Sequence, residues 1–129
     1  MHIEHIAIWT RNLEGLRAFY ETYFQGRTGP KYTNPARQYE SYFVSFEGGA
    51  RLELMQMPGV PPTRNSAEAQ FTGLIHLAVA VGSPPAVDGL TARLRGDGFA
   101  VVSEPRRTGD GYYESCILDP DGNRVEITA

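Results

Sequence analysis

Asp119-Pro120-Asp121-Gly122-Asn123-Arg124-Val125-Glu126-Ile127 opens as a turn and closes as a strand. Asp, Pro and Gly carry the turn chemistry. From Arg124 onward polar and apolar residues alternate, so Val125 and Ile127 face one way while Arg124 and Glu126 face the other. The pattern occurs earlier in the chain as Gly49-Ala50-Arg51-Leu52-Glu53-Leu54. In both copies a glycine lies four residues before the glutamate and an arginine two before it. Such internal duplication says more about architecture than any single residue.

The repeat extends outward from these two stretches. His76 follows His5 by 71 residues (76 − 5), and Glu126 follows Glu53 by 73 (126 − 53), a difference loops absorb. In the first half, 2–9 suits a strand. Asn12 is an N-cap, and Leu13, Leu16, Tyr20, Tyr23 and Phe24 recur at helical spacing up to Gly26. A weaker strand is expected over 29–33, then two strands over 39–46 and 50–57 joined by Glu47-Gly48-Gly49.

The second half is expected to repeat this order. A strand over 73–81 leads to a helix that begins at Ser83-Pro84 and carries Val87, Leu90 and Leu94. Strands follow over 99–104, 112–118 and 123–128. The fold class is therefore α+β, two βαβββ modules in one domain spanning 1–129. The modules cover 1–57 and 73–129, and a polar, Pro-containing linker over 58–72 joins them. The curved mixed sheets carry their helices on the outside.

The bulk numbers exclude several functions. Net charge is −3, with only Arg106-Arg107 as a basic cluster, which argues against nucleic acid as a partner. No apolar run approaches the length of about 20 residues needed to cross a bilayer. The single cysteine, Cys116, excludes an internal disulfide. With no signal-peptide pattern at the N-terminus, a cytoplasmic location is expected. Cys116 itself reads as a small mid-strand residue of the core or pocket.

Alternation then separates two faces in each module. Ile6 and Ile8 oppose His5, Leu52 and Leu54 oppose Glu53, and Val125 and Ile127 oppose Glu126. His76 shares a face with Leu74, Ala78 and Ala80, opposite the apolar row Ile75, Leu77, Val79 and Val81. The apolar rows should carry the helices, leaving His5, Glu53, His76 and Glu126 on the concave side. One strand histidine or glutamate is ordinarily structural or solvated. Four at matching places, on the first and last strand of each half, point to a metal. Two imidazoles and two carboxylates balance a divalent cation, and a nitrogen and oxygen set without thiolate suits Zn, Ni, Co, Mn or Fe. His2 lies outside this set and has no assigned role.

These residues resemble the vicinal oxygen chelate superfamily, which includes glyoxalase I, extradiol dioxygenases, methylmalonyl-CoA epimerase and the fosfomycin and bleomycin resistance proteins. The likeness covers essentially the whole chain. It is carried by Ile3-Glu4-His5-Ile6-Ala7-Ile8, Phe19-Tyr20, Arg51-Leu52-Glu53-Leu54, Gly73-Leu74-Ile75-His76-Leu77-Ala78-Val79 and the 119–127 stretch. The order His, Glu, His, Glu is similar to glyoxalase I. The resemblance thus implies a metal-dependent lyase or isomerase, a lactoylglutathione lyase relative among the candidates. Such an enzyme transfers a proton on a small α-oxo or α-hydroxy compound, with Glu126 or Glu53 as general base. The alternatives are a non-enzymatic drug- or metabolite-binding protein of the bleomycin resistance type, and an extradiol dioxygenase.

Where glutathione-using bacterial members have an arginine and an asparagine, this chain has Trp9 and Met57. Trp9, Met55 and Met57 are expected on the ligand face, lining an apolar substrate pocket. Tyr112 and Tyr113, after Gly109-Asp110-Gly111, are lid candidates, with Tyr113 added to the pocket. Arg106 and Arg107 could bind a substrate carboxylate, but solvation of a loop is the preferred reading. A half-cup of four strands leaves edges and an apolar face uncovered. A homodimer is therefore expected, with sites shared between chains, His5 and Glu53 from one and His76 and Glu126 from its twin.

Overall fold

Local capping and a stripe of apolar residues determine the first helix. In the computed structural model, which describes residues 1–129, α1 spans Leu13–Phe24, and the Asn12 side chain accepts a hydrogen bond from the Gly15 backbone N–H at 2.9 Å. Leu13, Leu16, Phe19, Tyr20 and Phe24 are buried at helical spacing. Gln25 ends the helix in the left-handed conformation, with φ of 55°. Gly26 follows because the chain passes close to the sheet there, and a Cβ would come within 2.5 Å of Val44 Cγ1.

The chain divides into two units, Met1–Pro62 and Thr63–Ala129. In the first, β1 (His5–Trp9), β2 (Arg27–Thr28), β3 (Tyr32–Asn34), β4 (Tyr39–Ser45) and β5 (Arg51–Gln56) form one sheet. Its order is β1-β5-β4-β2, with β3 also paired to β4. β1 runs parallel to β5, in the register Ile6 opposite Leu52 and Ile8 opposite Leu54, and the other pairings are antiparallel. α1 packs on β4 and β5, over the buried Val44, Leu52 and Leu54.

The strand expected over 29–33 is instead two short ones, Arg27–Thr28 and Tyr32–Asn34, separated by Gly29-Pro30-Lys31. Pro30 has no N–H for the ladder, so pairing stops and resumes beyond it. β1 begins at His5 and not at residue 2, because its partner β5 begins at Arg51, opposite His5.

The second unit repeats the plan. β6 (His76–Ala80), α2 (Pro84–Gly96), β7 (Val101–Arg107), β8 (Tyr113–Leu118) and β9 (Arg124–Thr128) give a sheet of order β6-β9-β8-β7, with β6 parallel to β9. Ser83 caps α2, and Pro84 occupies its first turn, where a missing N–H costs nothing. α2 lies on β7, β8 and β9 over Ile117, Val125 and Ile127. A polar pair is buried in this core. Thr91 Oγ1 donates to the Val87 carbonyl at 2.7 Å and lies 2.6 Å from Ser115 Oγ, so Ser115 supplies the proton between the two hydroxyls.

β7 runs on past the expected end at Glu104 to Arg107, despite Pro105. It is an edge strand with an irregular register between Ser103 and Arg106, the setting in which proline is tolerated. Arg106 and Arg107 are thus strand residues. The second turn is built around Asp119, whose Oδ1 accepts from the Asp121 and Asn123 N–H groups, while Gly122 takes φ of 83°. No helix is long and apolar enough to cross a membrane.

The fully buried Leu54 gives a direct check on the first unit's core. Leu54→Ala should destabilise the protein by about 2–5 kcal/mol, read from the midpoint of denaturant unfolding at unchanged slope.

Candidate functional site

Strand alternation places His5, Ala7 and Trp9 of β1 on one face, beside Arg51, Glu53 and Met55 of β5. This is the face α1 does not cover. Glu53 lies directly opposite Ala7, whose methyl group leaves room for the carboxylate to reach along the strand to His5. His5 Nε2 stands 3.6 Å from Glu53 Oε2. The second unit repeats this arrangement, with Glu126 opposite Ala78 and His76 Nε2 3.2 Å from Glu126 Oε2. Both histidines are about two-fifths exposed, and both glutamates are less than a quarter exposed.

Two donors of one ion, each about 2.1 Å from it, lie roughly 3.0 Å apart at a right angle and 3.4 Å at a tetrahedral one. The two His–Glu separations lie within a few tenths of an ångström of that range, so each pair fits as two adjacent ligands. No group of three or more His, Cys, Asp and Glu side chains suited to a metal is present. Each unit therefore carries a two-residue half of the expected four-ligand set.

The surroundings of the pairs differ. Tyr39 donates its hydroxyl proton to Glu53 Oε1 at 3.0 Å. Burial raises the Tyr39 pKa, and the bond to Glu53 adds to the effect, keeping the phenol a donor. His5 is bracketed further. Its Nδ1 lies 2.5 Å from Glu4 Oε2, and Arg51 Nε donates to Glu4 Oε1 at 2.7 Å. The His5 hydrogen bond and the Arg51 guanidinium hold the Glu4 carboxyl below its usual range. In the second unit the arginine at the matching place, Arg124, is buried and donates to the Ser66 and Ala67 carbonyls, tying down the connecting segment. Cys116 lies opposite Glu126 on β8, and burial pushes its thiol pKa up, with the Glu126 charge adding to it.

The expected pocket residues separate. Trp9 is 40% exposed on the face that carries His5 and Glu53, with its ring edge-on to Tyr39 at 6.1 Å, and Met55 lies next to it in register. Met57 lines a cavity of about 280 Å³ with Thr10, Arg11, Glu40 and Gln56, and that cavity includes neither His5 nor Glu53. Tyr113 faces the other way. Its hydroxyl donates to Asp88 Oδ1 on α2 at 2.8 Å, so it belongs to the helix-covered side and not to the Glu126 face. Tyr112 is exposed, and its carbonyl closes the Thr108 turn. Arg106 lies 3.7 Å from Glu114. His2 is exposed and precedes β1.

Sequence reading missed Tyr39 and Glu4. Tyr39 carries a usable signal, since it shares a strand face with Ser41 and Phe43, and Phe43 is the direct cross-strand neighbour of Glu53.

Comparison with solved structures returns the same fold. SMU.1112c superposes with a TM-score of 0.82 at 23% identity, covering 100% of this chain and 98% of that one. The trypanothione-dependent glyoxalase I of Leishmania major gives 0.76 at 21% identity, covering 99% and 86%. Maize glyoxalase I gives 0.80 at 22%, covering 98% of this chain, which spans only 44% of the maize chain. No curated protein matches the sequence. The model of the glyoxalase/bleomycin resistance protein/dioxygenase superfamily matches residues 2–127, nearly the full length. With two βαβββ modules and that match, the chain belongs to the glyoxalase/bleomycin resistance protein/dioxygenase superfamily.

Proposed function

We propose that His5, Glu53, His76 and Glu126 hold one divalent metal ion, and that the protein is a metal-dependent lyase or isomerase. Its substrate would be a small compound with vicinal oxygens, α-oxo or α-hydroxy. The observation that carries this reading is the repeated pair: in each unit an imidazole Nε2 faces a carboxylate oxygen across parallel strands, at 3.6 Å and 3.2 Å. Since each unit supplies two ligands, the first module of one chain and the second module of its twin together complete a set, giving a homodimer with two equivalent sites.

A bound divalent ion supplies Lewis acidity at the substrate oxygens. The chain's own residues do the rest. Glu53 is tethered by Tyr39, whereas Glu126 has no hydroxyl donor of that kind, so Glu126 is the better placed of the two to act as general base. It removes the proton from the hydroxyl-bearing carbon next to the carbonyl, the electron pair passing into the carbonyl as an enediol forms. It returns that proton to the former carbonyl carbon, while the hydroxyl proton passes to the former carbonyl oxygen and leaves a new carbonyl behind. Trp9 and Met55 give the site an apolar wall that limits water.

One observation favours a second reading, a non-enzymatic binding protein. The Tyr39 phenol satisfies a Glu53 oxygen without any cation. One experiment distinguishes the two readings. Small α-oxo and α-hydroxy compounds are incubated in D2O with the protein, with and without zinc, nickel, cobalt, manganese or ferrous ion. An enzyme exchanges the α-proton for deuterium only when the ion is present, as seen by proton NMR. A binder shifts ligand resonances and exchanges nothing.

A further inference from the structure

We infer that Glu4 is a positioning residue for His5, fixing the imidazole tautomer so that Nε2 is the nitrogen offered to a cation. This rests on the metal-site reading above. An ionised carboxylate can only accept, so a 2.5 Å contact between Glu4 Oε2 and His5 Nδ1 requires the proton on Nδ1. The neutral ring then carries its free lone pair on Nε2, the atom facing Glu53. The hydrogen bond at one ring nitrogen decides which nitrogen is available for ligation, and a carboxylate partner also raises ligand basicity.

The support around Glu4 is itself built. Arg51 Nε donates to Glu4 Oε1 at 2.7 Å, and a second guanidinium nitrogen, Nη2, also contacts that oxygen. The Arg51 guanidinium lies over the Phe43 ring at 4.1 Å, and Phe43 meets the His5 ring edge-on at 5.3 Å. Glu4, held by Arg51, thus backs the Nδ1 edge of the imidazole, while the Phe43 ring packs edge-on against it. The backbone joins in, since Arg51 N donates to the Glu4 carbonyl at 3.0 Å.

The duplication supplies an internal comparison. The residue before His76 is Ile75, which has no acceptor to offer Nδ1, and Arg124 is engaged with backbone carbonyls of the connecting segment. The two modules therefore hold their histidines differently, and only His5 has a carboxylate at its back.

The test is the nitrogen-15 spectrum of the histidine side chains in metal-free protein, combined with zinc titration. Neutral His5 should show a protonated Nδ1 and an unprotonated Nε2. In Glu4→Leu that preference should be lost, while His76 signals stay in place. Glu4→Gln, which keeps an acceptor oxygen, should restore it. Zinc affinity should fall roughly 10- to 100-fold in Glu4→Leu, the usual cost of removing an outer-shell partner. A wild-type His5 protonated at Nε2, or a Glu4→Leu protein with unchanged His5 tautomer or unchanged zinc affinity, overturns the inference. If zinc binds neither protein, the metal-site reading falls, and the tautomer comparison still decides whether Glu4 orients His5. Glu4 is exposed at the strand entrance, so the fold should tolerate both changes.

Discussion

A mixture of His5→Ala chains with His76→Ala chains should regain about a quarter of wild-type activity, although each variant alone is inactive. The expectation follows from how the proposed ligands are distributed. The first unit carries His5 beside Glu53, and the second carries His76 beside Glu126. If sites form between the first module of one chain and the second of its twin, a heterodimer has one intact site and one doubly broken site. Random reassociation makes about half of the dimers mixed, so about one site in four is whole. Sites built within a single chain give no recovery. Subunit exchange must be shown independently, with one variant tagged. A monomer at micromolar concentration, or exchange without recovery, excludes shared sites.

Much of this architecture was legible in the sequence because the signals were periodic. Alternation in Arg51-Leu52-Glu53-Leu54 and Arg124-Val125-Glu126-Ile127 assigned the faces that the sheets adopt, with Leu52, Leu54, Val125 and Ile127 buried under helices. The caps at Asn12 and Ser83 set both helix starts. Proline positions were harder to read, because their effect depends on strand neighbours. Pro30 breaks a weak strand into two, whereas Pro105 sits inside β7, an edge strand that needs no donor there.

The site was half legible. That His5, Glu53, His76 and Glu126 lie on the faces opposite the helices follows from period-two alternation. What surrounds them does not. The glycine-rich neighbourhood of Tyr113 suggests a pocket residue. Alternation from Cys116, which is opposite Glu126, puts it on the other face, where Asp88 takes its hydroxyl proton. Glu4 was hidden for a different reason. Sequence neighbours in a strand point to opposite faces, but Glu4 lies just before β1 begins, and its side chain is free to turn back to His5.

Metal content under replacement of Glu126 decides whether these four side chains hold an ion. Glu126→Gln keeps the shape of a half-buried side chain and removes its charge, leaving two imidazoles and a single carboxylate for a divalent ion. The affinity should fall by more than the roughly 10- to 100-fold typical of outer-shell changes, and turnover should fall with it. His76→Ala should behave alike, and His2→Ala, outside the strand, should match wild type. The measurement is elemental analysis of wild-type and Glu126→Gln protein, purified without chelators and dialysed against zinc, nickel or cobalt. One ion per chain is expected in the wild type and strong depletion in the variant. A wild type that retains well below one ion per chain, or a Glu126→Gln protein that keeps full metal and normal activity, contradicts it.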